Sequence, residues 1–434
     1  MSTRRAGLFT RPFWIRLHRW AGLTMAGFLI VVGLTGSLLA FYPELERLMH
    51  PHWYPDRDPA TWMGAGVSAE KLERAEPRLR VTQVSLQGFD GATSAWVEPR
   101  IDPATGQPFQ LGYDYVVLDP ATGAVLDRMQ WGSLRNGWTG LMSFVYALHY
   151  SLALDMPGVW LLGICAVIWT LDCFVDFYLT FPANQSPNGQ ANRPERIAHV
   201  SWWERWKPAW MIKWPASPYR LNFDLHRASG LWLWGALLIF AWSSVYMNLW
   251  DTVYTWTTRA FFDYRPYWAE FRPRPVPMER PELNWLDAQT VGERLMAVQV
   301  AQAGLTVHRP VSLRLYREFG LYQYQVETNR EIDDRPRRYT TQVFFDADSG
   351  ALKLALLPAG QYAGNTISNW LYALHMANVF GLPYRIFVCL LGVVIVLLSS
   401  TGVYLWWKKR RSRATAQARR GSPTVTASPG RASA

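Results

Sequence analysis

L-H-R-W-A-G at residues 17–22 opens an apolar run at 21–42, and L-H-R-A-S-G at 225–230 opens a second at 231–250. Between them, Y-A-L-H at 146–149 precedes a run at 158–179; Y-A-L-H at 372–375 precedes another at 386–407. His18 and His226 are 208 residues apart, His149 and His375 are 226 apart, and the order of motifs is the same in both halves. Self-similarity of this length marks a tandem duplication. Each run has the roughly 20 apolar residues needed to cross a core of about 30 Å. Only the run at 158–179 holds charged residues, Asp172 and Asp176. The fold class this predicts is a membrane α-helical bundle of four transmembrane helices built as a duplication.

Charge sets the expected orientation. Residues 1–20 hold five Arg and no acid, residues 181–224 six Lys/Arg against three acids, and the tail from Lys408 eight Lys/Arg and no acid. Residues 43–140 hold nine basic and 13 acidic residues, and residues 251–367 hold 14 of each. Positive segments stay inside. Both termini and the middle loop are therefore expected in the cytoplasm, in a bacterial inner membrane, with the two large polar segments across it. The net charge of +11 is thus topological and does not point to nucleic acid.

Each polar segment reads as a small α+β domain. Y-V-V-L-D-P-A-T-G-A-V-L at 115–126 and T-Q-V-F-F-D-A-D-S-G-A-L at 341–352 are both strand, Asp/Gly turn, strand. Alternating runs at 81–98 and 313–327 precede them, and 283–303 has helical spacing. The domains implied are 1–42 (N-terminus and first span), 43–137 (outer domain), 138–182 (interfacial helix and second span), 183–223 (cytoplasmic loop), 224–250 (third span), 251–365 (outer domain), 366–408 (interfacial helix and fourth span) and 409–434 (disordered basic tail). Pro157 and Pro383, eight residues after His149 and His375 on the outer side, predict breaks.

Two histidines at one depth on repeat-related helices provide bis-imidazole ligation for one haem iron. His18 with His226, and His149 with His375, are the pairs. Gly22 and Gly230, one turn beyond the inner histidines, leave room for a flat macrocycle. Arg19 and Arg227 are positioned for haem propionates on the inner side, and Arg385 on the outer. The cofactor expected is haem b, two per chain. No C-x-x-C-H motif is present, and Cys165, Cys173 and Cys389 all lie in the apolar runs, so attachment is non-covalent. No dinucleotide-binding motif is present, so the electron donor is a quinol or a separate protein. His50 and His52, near Glu44 and Glu46, read as solvent-facing polar residues rather than a metal site. His199 and His308 read as loop residues. Asp172 and Asp176 read as interfacial rather than proton-carrying. Trp202, Trp203, Trp206, Trp210 and Trp214, with Arg205, Lys207 and Lys213, read as a lipid-anchoring interfacial helix.

L-H-R-W-A-G-L at 17, A-L-H-Y-S-L at 147, L-H-R-A-S-G-L at 225, A-L-H at 373 and L-L-S-S-T-G-V-Y-L-W-W-K-K-R at 397–410 resemble the PepSY-associated transmembrane family of iron-regulated membrane proteins. The hairpins at 115–126 and 341–352 resemble PepSY modules. Members of that family include inner-membrane siderophore reductases of the FoxB type. The resemblance implies two periplasmic PepSY-like domains, haem on His18, His149, His226 and His375, and reduction of a periplasmic ferric siderophore or other ferric chelate. PepSY modules alone would equally allow a non-enzymatic, membrane-anchored binding or regulatory protein. An iron permease is disfavoured, because the spans offer no acidic pathway.

Overall fold

The computed structural model describes residues 10–88, 91–135, 137–183, 200–334 and 340–421. His199 lies outside them. In chain order the elements are α1 (Arg11–Leu39), α2 (Tyr42–Met49), α3 (Ala65–Ala75), β1 (Leu79–Ser85), β2 (Ser94–Pro99), β3 (Tyr115–Leu118), β4 (Val125–Met129), α4 (Leu141–Ser151) and α5 (Asp155–Thr180). They continue with α6 (Trp202–Trp206), α7 (Pro218–Trp232), α8 (Trp234–Asn248), α9 (Thr255–Phe261), α10 (Trp285–Gln302), β5 (Val307–Tyr316), β6 (Leu321–Thr328), β7 (Thr341–Asp346), β8 (Leu352–Leu356), α11 (Ala363–His375) and α12 (Gly381–Gly421). They form two compact units. One draws on Met1–Ile30, Ile168–Leu238 and Val394–Ala434; the other on Val31–Val167 and Ile239–Val393.

Helices α1, α5 and α12 are each long and apolar enough to cross a membrane. The third expected span is not one helix. α7 and α8 meet at Leu233 with a bend of 70°. Ser229, Gly230 and Gly235 flank the break, the small residues that permit a sharp kink. On either side of it an indole bonds elsewhere: Trp232 Nε1 donates to the Trp210 carbonyl at 3.1 Å and Trp234 Nε1 to the Cys173 carbonyl at 2.8 Å.

Other boundaries also move. α1 starts at Arg11, before the apolar run at 21–42, so His18 lies inside the helix. The tail expected to be disordered from residue 409 continues α12 to Gly421, over a stretch rich in the strong helix formers Ala and Arg; residues 422–434 lie outside the described residues. Pro157 and Pro383 do not kink a helix. Each sits in the first turn of the next one, where its missing N–H is not needed. The breaks fall just before, at Leu152 and Ala153 (φ 54° and 53°) and at Ala377 and Phe380 (φ 53° and 59°).

The two polar segments do not build separate sheets. Their strands form one antiparallel sheet in the order β4-β3-β2-β1-β5-β6-β7-β8. Each half is a four-stranded meander, and the halves join where Val84 on β1 faces Leu313 on β5. That seam gives each first strand a backbone partner and removes two exposed edges. α3 and α10 cover one face. Ala69, Leu72, Val84, Val116, Leu313, Tyr322, Val343 and Phe345 from both halves form a single apolar core with Trp285 and Ala288. Burying each large side chain contributes about 1.5–3 kcal/mol. α3 and α10 approach so closely that a Cβ on Gly66 would lie 2.4 Å from the Trp285 carbonyl oxygen.

The Asp/Gly hairpins adopt the same local structure twice. Asp119 Oδ1 accepts from the Ala121 and Thr122 amides, and Asp346 Oδ1 from the Asp348 and Ser349 amides. Gly123 and Gly350 then take φ 66° and 69°, a conformation natural to glycine. Asp119 also accepts from Arg57 Nη2 at 2.7 Å. Burial opposes its ionisation, but Arg57 and the turn amides outweigh that and hold the carboxyl at about 2.

Because the folded value lies below the unfolded one of about 3.9, this stabilisation is complete above about pH 4 and is lost as pH falls toward 2. Asp119→Asn is expected to lower stability at pH 7 by about 1–3 kcal/mol, with the gap to the parent protein closing near pH 2. Denaturant unfolding followed across that range checks it, and a pH-independent gap would contradict it.

Candidate haem-ligating site

Histidine can ligate a metal only when one ring nitrogen carries a free lone pair, and the partner of the other nitrogen decides which. In the first unit, α1 carries His18 and α7 carries His226, with ring centroids 6.1 Å apart and planes at 62°. His18 Nδ1 lies 3.0 and 3.1 Å from the two carboxylate oxygens of Asp172 on α5. His226 Nδ1 lies 3.0 Å from the Leu398 carbonyl and 3.1 Å from Thr401 Oγ1, both on α12.

In the second unit, α4 carries His149 and α11 carries His375. Their centroids are 6.2 Å apart and their planes at 63°. His149 Nδ1 lies 2.9 Å from Thr35 Oγ1, and that hydroxyl donates to the Val31 carbonyl. His375 Nδ1 lies 2.7 Å from Ser243 Oγ, and that hydroxyl donates to the Phe240 carbonyl. The Phe240 ring stacks on His375 with centroids 4.8 Å apart.

These partners assign the tautomers. A carbonyl only accepts, so His226 Nδ1 carries hydrogen. Thr35 and Ser243 spend their single hydroxyl protons on helix carbonyls, so each accepts from its histidine. Asp172 accepts from His18. In all four rings Nδ1 is the donor, which leaves the lone pair on Nε2. A metal–imidazole bond of about 2.0 Å plus roughly 1.1 Å from ring nitrogen to ring centre, doubled, puts two centroids about 6 Å apart. Both pairs have the ring separation that two imidazoles sharing one iron would need. His50 and His52 also stand 6.1 Å apart, but the Nε2 of each points at a carboxylate: Glu46 at 3.7 Å and Asp127 at 3.4 Å. His52 is exposed as the sequence suggests, but His50 is not. His50 is 7% exposed, Glu46 is fully buried, and the His50 ring stacks on Trp53. Among the described residues no group of three or more His, Cys, Asp or Glu is gathered for a metal.

The His18–His226 pair opens on a cavity of about 480 Å³ bordered by His18, Arg19, Gly22, His226, Arg227 and Gly230. That volume is within the range of small-molecule and cofactor sites. Gly22 faces open space, whereas a Cβ on Gly230 would meet Asp176 Oδ2 at 3.3 Å. The two arginines differ. Arg227 is committed to Asp224 at 2.9 Å and to the Pro208 carbonyl at 2.6 Å. Arg19 makes no hydrogen bond or ion pair among the described residues and borders the cavity. Arg385 is ion-paired with Glu44 and lies 5.7 Å over the Phe41 ring.

Two small residues escaped the sequence reading. A Cβ on Gly36 would lie 3.0 Å from His149 Cε1, and one on Gly402 would lie 3.3 Å from His226 Cε1. Thr35–Gly36 and Thr401–Gly402 are thus one device used twice: the threonine holds Nδ1 and the glycine lets the ring lie against the helix.

A family model for the PepSY-associated TM region matches residues 15–409. The chain belongs to that family. The match spans all four histidines and both halves of the sheet. With the apolar helices, membership makes this a membrane protein. No curated protein matches the chain by sequence. The remaining sequence-level residues take ordinary places. His308 is half-exposed, 3.8 Å from Glu327. Trp206 is buried against Phe177 and Phe181, while Trp203 and Trp214 are exposed.

Thr35→Val keeps the side-chain shape and strands the His149 Nδ1–H in an apolar site. A loss of about 1–3 kcal/mol in stability is expected, read by thermal unfolding of detergent-purified protein. An unchanged Tm would show that the hydroxyl does not hold the ring.

Proposed function

We propose that this protein is a haem-dependent membrane oxidoreductase that carries electrons across a bacterial inner membrane, with both termini cytoplasmic, to a periplasmic ferric siderophore or other ferric chelate. The observation that carries the reading is the doubled one: two histidine pairs with the same ring separation and every Nδ1 engaged by an acceptor. Anchoring helices have no need of it. The repeated hairpins and the repeated histidine geometry also favour an origin by duplication, with two PepSY-like halves.

The chain's own groups supply ligation and orientation. Nε2 of His18 and His226 would hold one haem b, and Nε2 of His149 and His375 a second. Held between two imidazoles, haem supplies one-electron transfer. Arg19 offers a positive charge at the inner cavity for a propionate. The donor is a quinol or a reduced partner protein. On the acceptor side, the second unit has a cavity of about 450 Å³ walled by Tyr264, Trp268, Arg314, Tyr316, Gln342 and Tyr362, together with α11 residues 365, 366, 368 and 369. Aromatic faces and a guanidinium suit a chelate with planar, oxygen-bearing groups. His375 lies six residues beyond Asn369 on the same helix, about 9 Å along its axis. Reducing Fe(III) to Fe(II) weakens the hold of hard oxygen donors and frees the iron.

The test is the oxidised and dithionite-reduced spectrum of purified protein, with haem counted per chain. A b-type spectrum at about two haems is expected, falling to about one in His149→Ala or His375→Ala. Haem-free protein from cells supplied with haem and iron would sink the reading and leave a PepSY binding module. In the loaded protein, Trp268→Ala is expected to raise the KM for a ferric chelate roughly tenfold, as for about 1.4 kcal/mol of lost contact, with kcat little changed. An unaltered KM would remove the cavity from the acceptor path.

A further inference from the structure

Three of the four Nδ1 partners are neutral: the Thr35 hydroxyl, the Ser243 hydroxyl, and the Leu398 carbonyl with Thr401. The fourth is a carboxylate. Asp172 stands on the apolar helix α5, 9% exposed, and places both oxygens within 3.1 Å of His18 Nδ1. An acid within an apolar span is costly unless it has a partner and a task. Asp176, one turn further on, borders the same cavity and makes no bond to His18.

We infer that Asp172 is a positioning residue that, through a charge-assisted hydrogen bond to His18, makes the His18–His226 pair the lower-potential haem site and so directs electrons toward the His149–His375 pair. The inference rests on the haem reading above. A carboxylate acceptor is about twice as strong as a neutral one. It draws the Nδ1 proton toward itself, enriches Nε2 in electron density and makes the imidazole a more basic ligand. A more basic ligand favours the ferric over the ferrous ion. The hydroxyl partners of the outer pair have no such pull. The ring separations match to 0.1 Å (6.1 against 6.2 Å), so the pairs differ in the partner at Nδ1 and in their surroundings, Arg19 and Asp176 at the cavity of one and Phe240 stacked on His375 in the other. One electron leaves the quinol or protein donor for each ferric ion reduced at the acceptor.

The test is a redox titration of the full-length holoprotein in detergent, followed in the haem bands. Two waves are expected. Asp172→Asn should raise the lower wave by a tenfold or greater change in its one-electron equilibrium, about 59 mV, and leave the upper wave in place. Asp172→Glu should restore it. Ser243→Ala should move only the upper wave. If Asp172→Asn sheds one haem, loss of the lower wave supports the assignment and loss of the upper one overturns it. An unmoved lower wave overturns the inference. So does an equal shift from Asp176→Asn, which would mean that charge in the cavity matters and the bond to His18 does not. Parent protein without haem would instead defeat the haem reading itself, so the two failures are distinguishable.

Discussion

A ring N–H inside an apolar bundle must find an acceptor, and a free imidazole nitrogen there must be given a reason. The hydrogen bond at Nδ1 answers both demands for each of the four histidines. It fixes which nitrogen carries the proton, and it ties the helix that carries the histidine to a neighbour: α1 to α5 through Asp172, α7 to α12 through Leu398 and Thr401, α4 to α1 through Thr35, and α11 to α8 through Ser243. In lipid, helix association lacks a hydrophobic drive and leans on such contacts and on small residues. The same bonds that prepare Nε2 therefore also set the helix positions.

The extramembrane sheet solves a different problem. A four-stranded meander leaves its first strand open, and an open edge invites pairing with other chains. Two meanders laid antiparallel at β1 and β5 close that edge on each other, and α3 and α10 cover one shared face. Neither half has a complete core alone, since Leu72 and Val84 from one half pack in the same cluster as Tyr322 and Phe345 from the other. The turn chemistry at Asp119 and Asp346 keeps each hairpin in register, because a side chain that caps its own turn leaves little choice of loop geometry.

Features with a local cause were the legible ones. The runs at 21–42, 158–179 and 386–407 announce helices through composition, and the hairpins announce themselves through Asp and Gly at fixed offsets. The histidine pairs followed from repetition. A hydropathy window cannot see the bend at Leu233, because both arms of a bent helix are equally apolar. The fusion of two sheets into one rests on a seam between residues more than 200 positions apart, such as Val84 and Leu313, for which local pattern has no signal. Thr35, Ser243 and Thr401 are common residues that acquire a role only through tertiary contact. Yet Thr-Gly stands in both L-T-G-S-L and S-T-G-V-Y, at 34–38 and 400–404, and that echo was open to reading. Asp172 reads from sequence as an interfacial acid, because nothing local says that His18 lies across from it.

Symmetry in sequence does not carry through to the charges around the inner pair. Arg19 and Arg227 follow their histidines identically, but Asp224 precedes only one of them. Fully buried, Asp224 accepts from Arg220 and Arg227, and Arg227 also reaches the Pro208 and Met211 carbonyls. A buried carboxylate needs such partners, and satisfying it turns Arg227 from a cavity cation into a brace between α7 and the tryptophan-rich loop. Asp172 is satisfied instead by an imidazole. Two buried acids in one unit thus divide the work: one fastens a loop, and the other holds His18. Arg19, which makes no ion pair among the described residues, is left to border the cavity. The duplicated motif supplied four like histidines, and the few unpaired substitutions around them make the two sites unequal.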